Sequence, residues 1–124
     1  MPRTFTVEQA NQALVTLRPL VEKILELRQT IIERQPEIWP ALQKAVGNGG
    51  SPVASQAAIE FAQLEVLARQ IQDSGALLKD LNIGLLDFPS IRDGREVYLC
   101  WRFGEESIQY WHDIDAGYAG RQKI

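Results

Sequence analysis

Up to Asp73 the apolar residues of this chain recur every three or four positions, and from Ala76 onward they alternate. A period near 3.6 builds a helix face and a period of two builds a strand face, so the two stretches cannot share one kind of structure. The switch predicts an α+β protein: a long antiparallel helical hairpin over residues 6–75, packed on a small three- or four-stranded antiparallel β-meander over residues 76–116. A tail follows at 117–124. At 124 residues the chain reads as a single domain, long enough to bury roughly two thirds of its unfolded surface.

Thr6-Val7-Glu8-Gln9 has the form of a capping box, in which the Thr6 hydroxyl accepts the Gln9 amide proton and the Gln9 side chain reaches back. Ala13, Leu17, Leu20, Ile24, Leu27 and Ile31 follow at alternating steps of four and three, and Leu14, Val21, Leu25 and Ile32 widen the stripe. A face that wide serves a sheet as well as one partner helix. Pro19 is expected to kink or break this helix. Pro36, Pro40 and the glycine-rich run 47–52 read as a connection, with a short helix between them that lays Trp39 over the first. Ser51 as N-cap and Pro52 in the first turn open a second helix, striped by Ala57, Phe61, Leu64, Ala68 and Ile71. It ends near Asp73, where Gly75 supplies the left-handed residue.

In the strand part, Asp93-Gly94 fits a two-residue turn whose central positions need positive φ. Pairing Arg92 with Arg95 sets Phe88 opposite Leu99, Asp87 opposite Cys100 and Leu86 opposite Trp101. It gathers Leu86, Phe88, Val97, Leu99, Trp101 and Phe103 on one face. A second turn centred on Glu105-Glu106 pairs Phe103 with Ile108, Trp101 with Tyr110 and Leu99 with His112. Leu77-Leu78-Lys79-Asp80 reads as the first strand, and Pro89 must turn its nitrogen outward or to a bulge.

This register places His112 on the apolar face as a hydrogen-bonded core residue. It sets Asp87, Cys100 and Trp111 in a row on the polar face, where Asp87 is expected to pair with Arg102. A carboxylate beside a thiol raises the thiol pKa. Asp113, Asp115, Asp87 and Glu105 have the oxygens a hard divalent ion prefers, yet their spacing does not require one, and no metal or cofactor is expected. The chain has one cysteine and one histidine, which excludes an internal disulfide and a four-ligand Cys/His zinc site within one chain. The tail reads as a mobile end whose Arg121 can clamp a carboxylate or phosphate.

Thirteen Lys and Arg against sixteen Asp and Glu leave a net charge of −3, a field that opposes a polyphosphate, so no nucleic-acid partner is expected. Such binding would need Arg92, Arg95, Arg102 and Arg121 to converge on one side. No apolar run reaches the roughly 18 residues of a membrane helix, and the opening Met-Pro-Arg-Thr is not that of a signal peptide. A cytoplasmic location with no membrane partner follows as an expectation.

The block from Lys79 through Asp87-Phe88-Pro89, Asp93-Gly94-Arg95, Leu99-Cys100-Trp101-Arg102, Gly104-Glu105 and Tyr110-Trp111-His112-Asp113 to Gly120-Arg121 resembles the prokaryotic family catalogued as domain of unknown function 2203. The opening Phe5-Thr6-Val7-Glu8-Gln9-Ala10-Asn11 is similar to that family's start, and Leu-Leu-Asp-Phe-Pro stands here where the family commonly has Leu-Val-Asp-Phe-Pro. The resemblance implies a small bacterial cytoplasmic protein with a helical N-terminal half and no known activity. The polar positions it carries over are Lys79, Asp80, Asp87, Arg95, Glu105, His112, Asp113 and Arg121.

Two functions are weighed. The first is a non-enzymatic module that forms a homodimer through its helical hairpin, with Tyr98, Arg102 and Trp111 offering a surface to another protein. The second is a ligand or metal site, catalytic or purely binding, at the end of the sheet, built from Glu105, His112, Asp113, Asp115 and Arg121. The candidate ligand-binding residues are Asp87, Arg95, Arg102, Glu105, His112, Asp113 and Arg121.

Overall fold

The structure, a computed structural model, describes residues 3–48 and 52–124. Two helices, α1 (Val7–Asn48) and α2 (Pro52–Asp73), precede five strands: β1 (Leu77–Asp80), β2 (Leu85–Arg92), β3 (Arg95–Arg102), β4 (Tyr110–Asp113) and β5 (Gln122–Lys123). A short 3-10 helix, η1 (Tyr118–Gly120), comes before β5. The strands form one antiparallel meander in chain order. The α+β arrangement is as expected, with one strand more, because Gln122 and Lys123 pair with β4 instead of trailing free.

α1 opens on the capping box: Gln9 N–H donates to Thr6 Oγ1 at 3.1 Å, and Thr6 N–H donates to Gln9 Oε1 at 2.9 Å. The helix then runs unbroken through Pro19, Pro36 and Pro40; of the kink or break expected at the first the break does not occur, and the connection expected around the other two is helical. Each proline removes one i→i−4 bond, and the carbonyls left without donors belong to Val15, Ile32 and Pro36, all exposed residues within reach of water. Trp39 stands on α1 itself, 65% exposed, and does not cover another helix. α2 starts at Pro52 and ends at Asp73, followed by Gly75 at φ +97°. Ser51, Gly49 and Gly50 lie outside the described residues.

The helices are antiparallel. Arg3, ahead of α1, donates to the Ser74 carbonyl beyond α2 at 3.1 Å, while Arg34 far along α1 pairs with Glu60 early in α2. α1 presents two overlapping stripes. Ala10, Leu14, Leu17, Val21 and Ile24 are buried against the sheet's Leu86, Phe88, Leu99 and Trp101; Ala13, Leu20 and Leu27 turn toward α2. On α2 the inward positions are Ala57, Glu60, Leu64, Leu67 and Ile71. Phe61, expected on this stripe, sits about 100° further round the helix and is 54% exposed.

The β2–β3 hairpin has the expected register: Arg92 opposite Arg95, Phe88 opposite Leu99, Asp87 opposite Cys100 and Leu86 opposite Trp101. Asp93 at φ +52° and Gly94 at φ +77° supply the two left-handed turn positions. Pairing with β1 stops at Asp87, and Pro89 lies beyond it, its carbonyl accepting Phe5 N–H at 2.7 Å.

The β3–β4 register differs from expectation by one residue. Cys100 pairs with Tyr110, Leu99 with Trp111 and Tyr98 with His112. The chain after Phe103 is not a tight hairpin, because α1 holds it: Ile108 N–H donates to Asn11 Oδ1 at 2.8 Å, and Arg18 Nη2 donates to the Glu106 carbonyl at 2.7 Å. Ile108 and Trp111 are both in the core. They stand three positions apart, a spacing that no uninterrupted strand allows on one face. Burying the indole of Trp111 removes more apolar surface from water than burying an imidazole, so this register is the one the core favours. A slip of one turns every β4 side chain to the opposite face.

Candidate functional site on the outer face of the sheet

The slip moves His112 away from the helices and over to Asp87 and Cys100. Asp87 on β2 and Cys100 on β3 are direct partners, and His112 on β4 reaches across so that its Nε2 lies 3.0 Å from Asp87 Oδ1. All three are buried, at 3%, 0% and 1% exposure. The ring's other nitrogen, Nδ1, is 2.7 Å from the carbonyl oxygen of Asp113. A carbonyl only accepts, so Nδ1 donates there, and a further proton lies between Nε2 and the Asp87 carboxylate. The expected Asp87–Arg102 pair is not formed, since Asp87 is engaged by His112; Arg102 Nη1 instead donates to the Tyr118 hydroxyl at 3.3 Å.

Burial pushes the Cys100 thiol up to about 12 from an ordinary 9.0; the negative charge of Asp87 adds to this, and Arg121 opposes it. The expected direction is correct, and the thiol is held protonated, which removes it as a nucleophile near neutral pH. Below about pH 9 the thiol is neutral in the folded and the unfolded chain and favours neither. Between about 9 and 12 only the unfolded chain ionises and so binds fewer protons, and stability falls as pH rises. Urea midpoints measured from about pH 8 to pH 10.5 are expected to decline more steeply for the natural chain than for Cys100→Ser.

Beside this trio the C-terminal segment is fastened down. Arg121 Nη1 donates to both carboxylate oxygens of Glu105, at 2.9 and 3.1 Å, and its guanidinium lies 4.1 Å from the centre of the Tyr110 ring and 4.3 Å from that of Tyr118. Burial works against the Arg121 charge, but the hydrogen bonds and charge of Glu105 more than offset it and hold its pKa above the ordinary value. Glu105 Oε1 also accepts the Arg102 amide proton at 2.6 Å. The carboxylate clamp proposed for Arg121 is thus satisfied within the chain, and the expected mobile tail is an ordered edge.

The sheet divides the remaining expected site residues. Asp87, Arg102, Glu105, His112 and Arg121 serve the outer face. Asp113 pairs with Arg95 at 3.0 Å at the exposed edge of the apolar face, and only its backbone carbonyl touches the trio. Asp115 is exposed and does not join Glu105 and Asp87 around a common point. Arg92 and Arg95 gather on Trp111, at 4.7 and 5.8 Å from its ring centre, whereas Arg102 and Arg121 gather on Tyr118; the four arginines do not converge. Trp111, offered as a partner surface, is buried at 7% exposure. Lys79 lies 5.2 Å from the Tyr98 ring centre, and Tyr98 in turn is tilted against His112 with ring centres 5.6 Å apart.

The chemistry on offer is therefore three different donors on one spot: a carboxylate oxygen, a thiol sulfur and an imidazole nitrogen, all within 4.8 Å of one another. The sequence alone paired Asp87 with Cys100 and named His112 as a candidate, but it set His112 on the opposite face and missed Tyr110 and Tyr118. The size of Trp111 beside His112 was the available signal, because the larger apolar ring has the stronger claim on the core. No described helix is long and apolar enough to cross a membrane. No curated protein and no solved structure matches the chain. The family model described as Uncharacterized conserved protein (DUF2203) matches residues 3–124, and the chain belongs to that family.

Proposed function

We propose that this protein is a self-associating binding module, in which two copies pair through their helical hairpins while each sheet offers its outer polar cluster. The observation that carries this reading is the length of hairpin beyond the core. Among the described residues, none of α1 after Leu25 joins or packs on the core, yet α1 continues to Asn48, so an arm of roughly 30 Å extends past it. Two helices cover only their facing stripes, and Ile32, Trp39, Ile59, Phe61 and Val66 are exposed along this arm.

A groove of about 490 Å³ runs between the helices, walled by Leu27, Ile59, Val66 and Leu67. Among the described residues of its lining, Lys23 is the one charged group, which suits a second copy of the same neutral surface better than a strongly charged partner. An arm of this length and two helix widths offers on the order of 600 Å², near the roughly 800 Å² per partner that a specific interface buries. A two-fold pairing would set each groove against the other. Sedimentation equilibrium of the full chain at micromolar concentration is expected to return twice the 14.0 kDa of one chain. Val66→Glu in the groove wall is expected to return one chain's mass with an unchanged far-UV spectrum. A monomer for the natural sequence overturns the reading.

A further inference from the structure

We propose that Asp87, Cys100 and His112 form a binding site for a divalent metal ion that accepts thiolate, zinc being the type. The three side chains come from three adjacent strands, so the β-ladder itself holds their spacing. Their ligand atoms already lie within 4.8 Å of one another, and tetrahedral zinc, with bonds of about 2.0 to 2.3 Å, asks for roughly 3.5 Å between ligands. Rotation of buried side chains by small angles closes that difference. His112 is oriented as a metal ligand is: Nδ1 donates to the Asp113 carbonyl at 2.7 Å, leaving Nε2 to face the other two donors.

The donor set also selects the ion. Calcium and magnesium take oxygen ligands, whereas one sulfur, one nitrogen and one oxygen suit zinc and its neighbours. Arg121 acts on Cys100 from beside this spot, its charge balanced by two hydrogen bonds to Glu105, and Lys79 stands over the Tyr98 ring at 5.2 Å. On binding, the metal–sulfur, metal–nitrogen and metal–oxygen bonds replace the thiol hydrogen and the hydrogen shared by Nε2 and the carboxylate, both leaving to solvent as protons. Three protein ligands leave a fourth position open. The site belongs to the sheet and does not depend on pairing of the hairpins, so a monomeric protein would keep it.

Titration of the full chain with Co²⁺ tests the assignment. The expected result is a thiolate-to-cobalt charge-transfer band that saturates at one ion per chain, with native mass spectrometry showing one Zn²⁺ bound. Cys100→Ser is expected to abolish the band, and Asp87→Asn or His112→Gln to weaken Co²⁺ binding by more than about 100-fold, since losing an outer-sphere partner alone costs 10- to 100-fold. Absence of the band in the natural chain at millimolar Co²⁺ overturns the proposal, as does its persistence in Cys100→Ser. Should a variant fail to fold, the spectrum and the zinc stoichiometry of the natural chain still decide.

Discussion

Trp101→Ala is expected to lower stability by about 4 kcal/mol, within the range for emptying a buried aromatic site. Trp101 has no exposed surface. It pairs with Leu86 across the ladder, stands edge-on to Phe103 with ring centres 6.1 Å apart, and donates its Nε1 hydrogen to the Glu105 carbonyl at 2.9 Å. The substitution removes the filling between sheet and α1 and leaves an unmet carbonyl at the turn. At roughly 4 °C per kcal/mol for a domain of this size, the thermal midpoint should fall by about 15 °C. Trp101→Phe keeps most of the apolar surface and loses the hydrogen bond, and should cost about 1 to 2 kcal/mol. Urea unfolding of both variants measures the difference; a loss below about 1 kcal/mol for the alanine variant would show that the sheet–helix layer is not what holds the fold together.

Asp87→Ala is expected to cost about 3 to 5 kcal/mol, the magnitude for removing one member of a buried ionisable pair. With the carboxylate gone, His112 Nε2 faces no partner in a spot closed to water, while Nδ1 remains tied to the Asp113 carbonyl. Asp87→Asn should be milder, because its amide can donate to Nε2 while Nδ1 keeps the ring hydrogen. A cycle of Asp87→Ala, His112→Ala and the double variant is expected to show coupling of 0.5 kcal/mol or more. Strict additivity would mean that the two groups do not support each other in the folded chain. Both variants can be read without added metal, so these stabilities report the hydrogen-bonded pair and leave the cobalt spectrum to report the ion.

How far the sequence reaches is clearest where one local signal settles the geometry. Asp93-Gly94 determines its own turn, since both central φ angles are positive and the flanking alternation admits one register. The capping box at Thr6 and Gln9 and the stop at Gly75 are equally local. The prolines of α1 mislead because their cost depends on whether the freed carbonyls can meet water. Pattern alone does not say that Val15, Ile32 and Pro36 are exposed. Phe61 misleads in a related way: its spacing fits a stripe, but Arg34 on the facing helix draws Glu60 inward and turns Phe61 out.

The candidate site was half legible for the same reason. Asp87 and Cys100 meet through a two-residue turn, so counting residues was enough to pair them. His112 arrives through a long irregular segment whose length is set by contacts with Asn11 and Arg18, some 90 positions earlier in the chain. The order of residues by itself determined the helical hairpin, the meander and the β2–β3 face, because those follow from periodicity and from turns of two residues. Only the tertiary structure decided on which side of the sheet the imidazole lies. Two registers of β4 satisfy the local alternation about equally, and the choice between them rests on whether the indole or the imidazole is buried against α1, a contact that exists only once the helix is packed on the sheet.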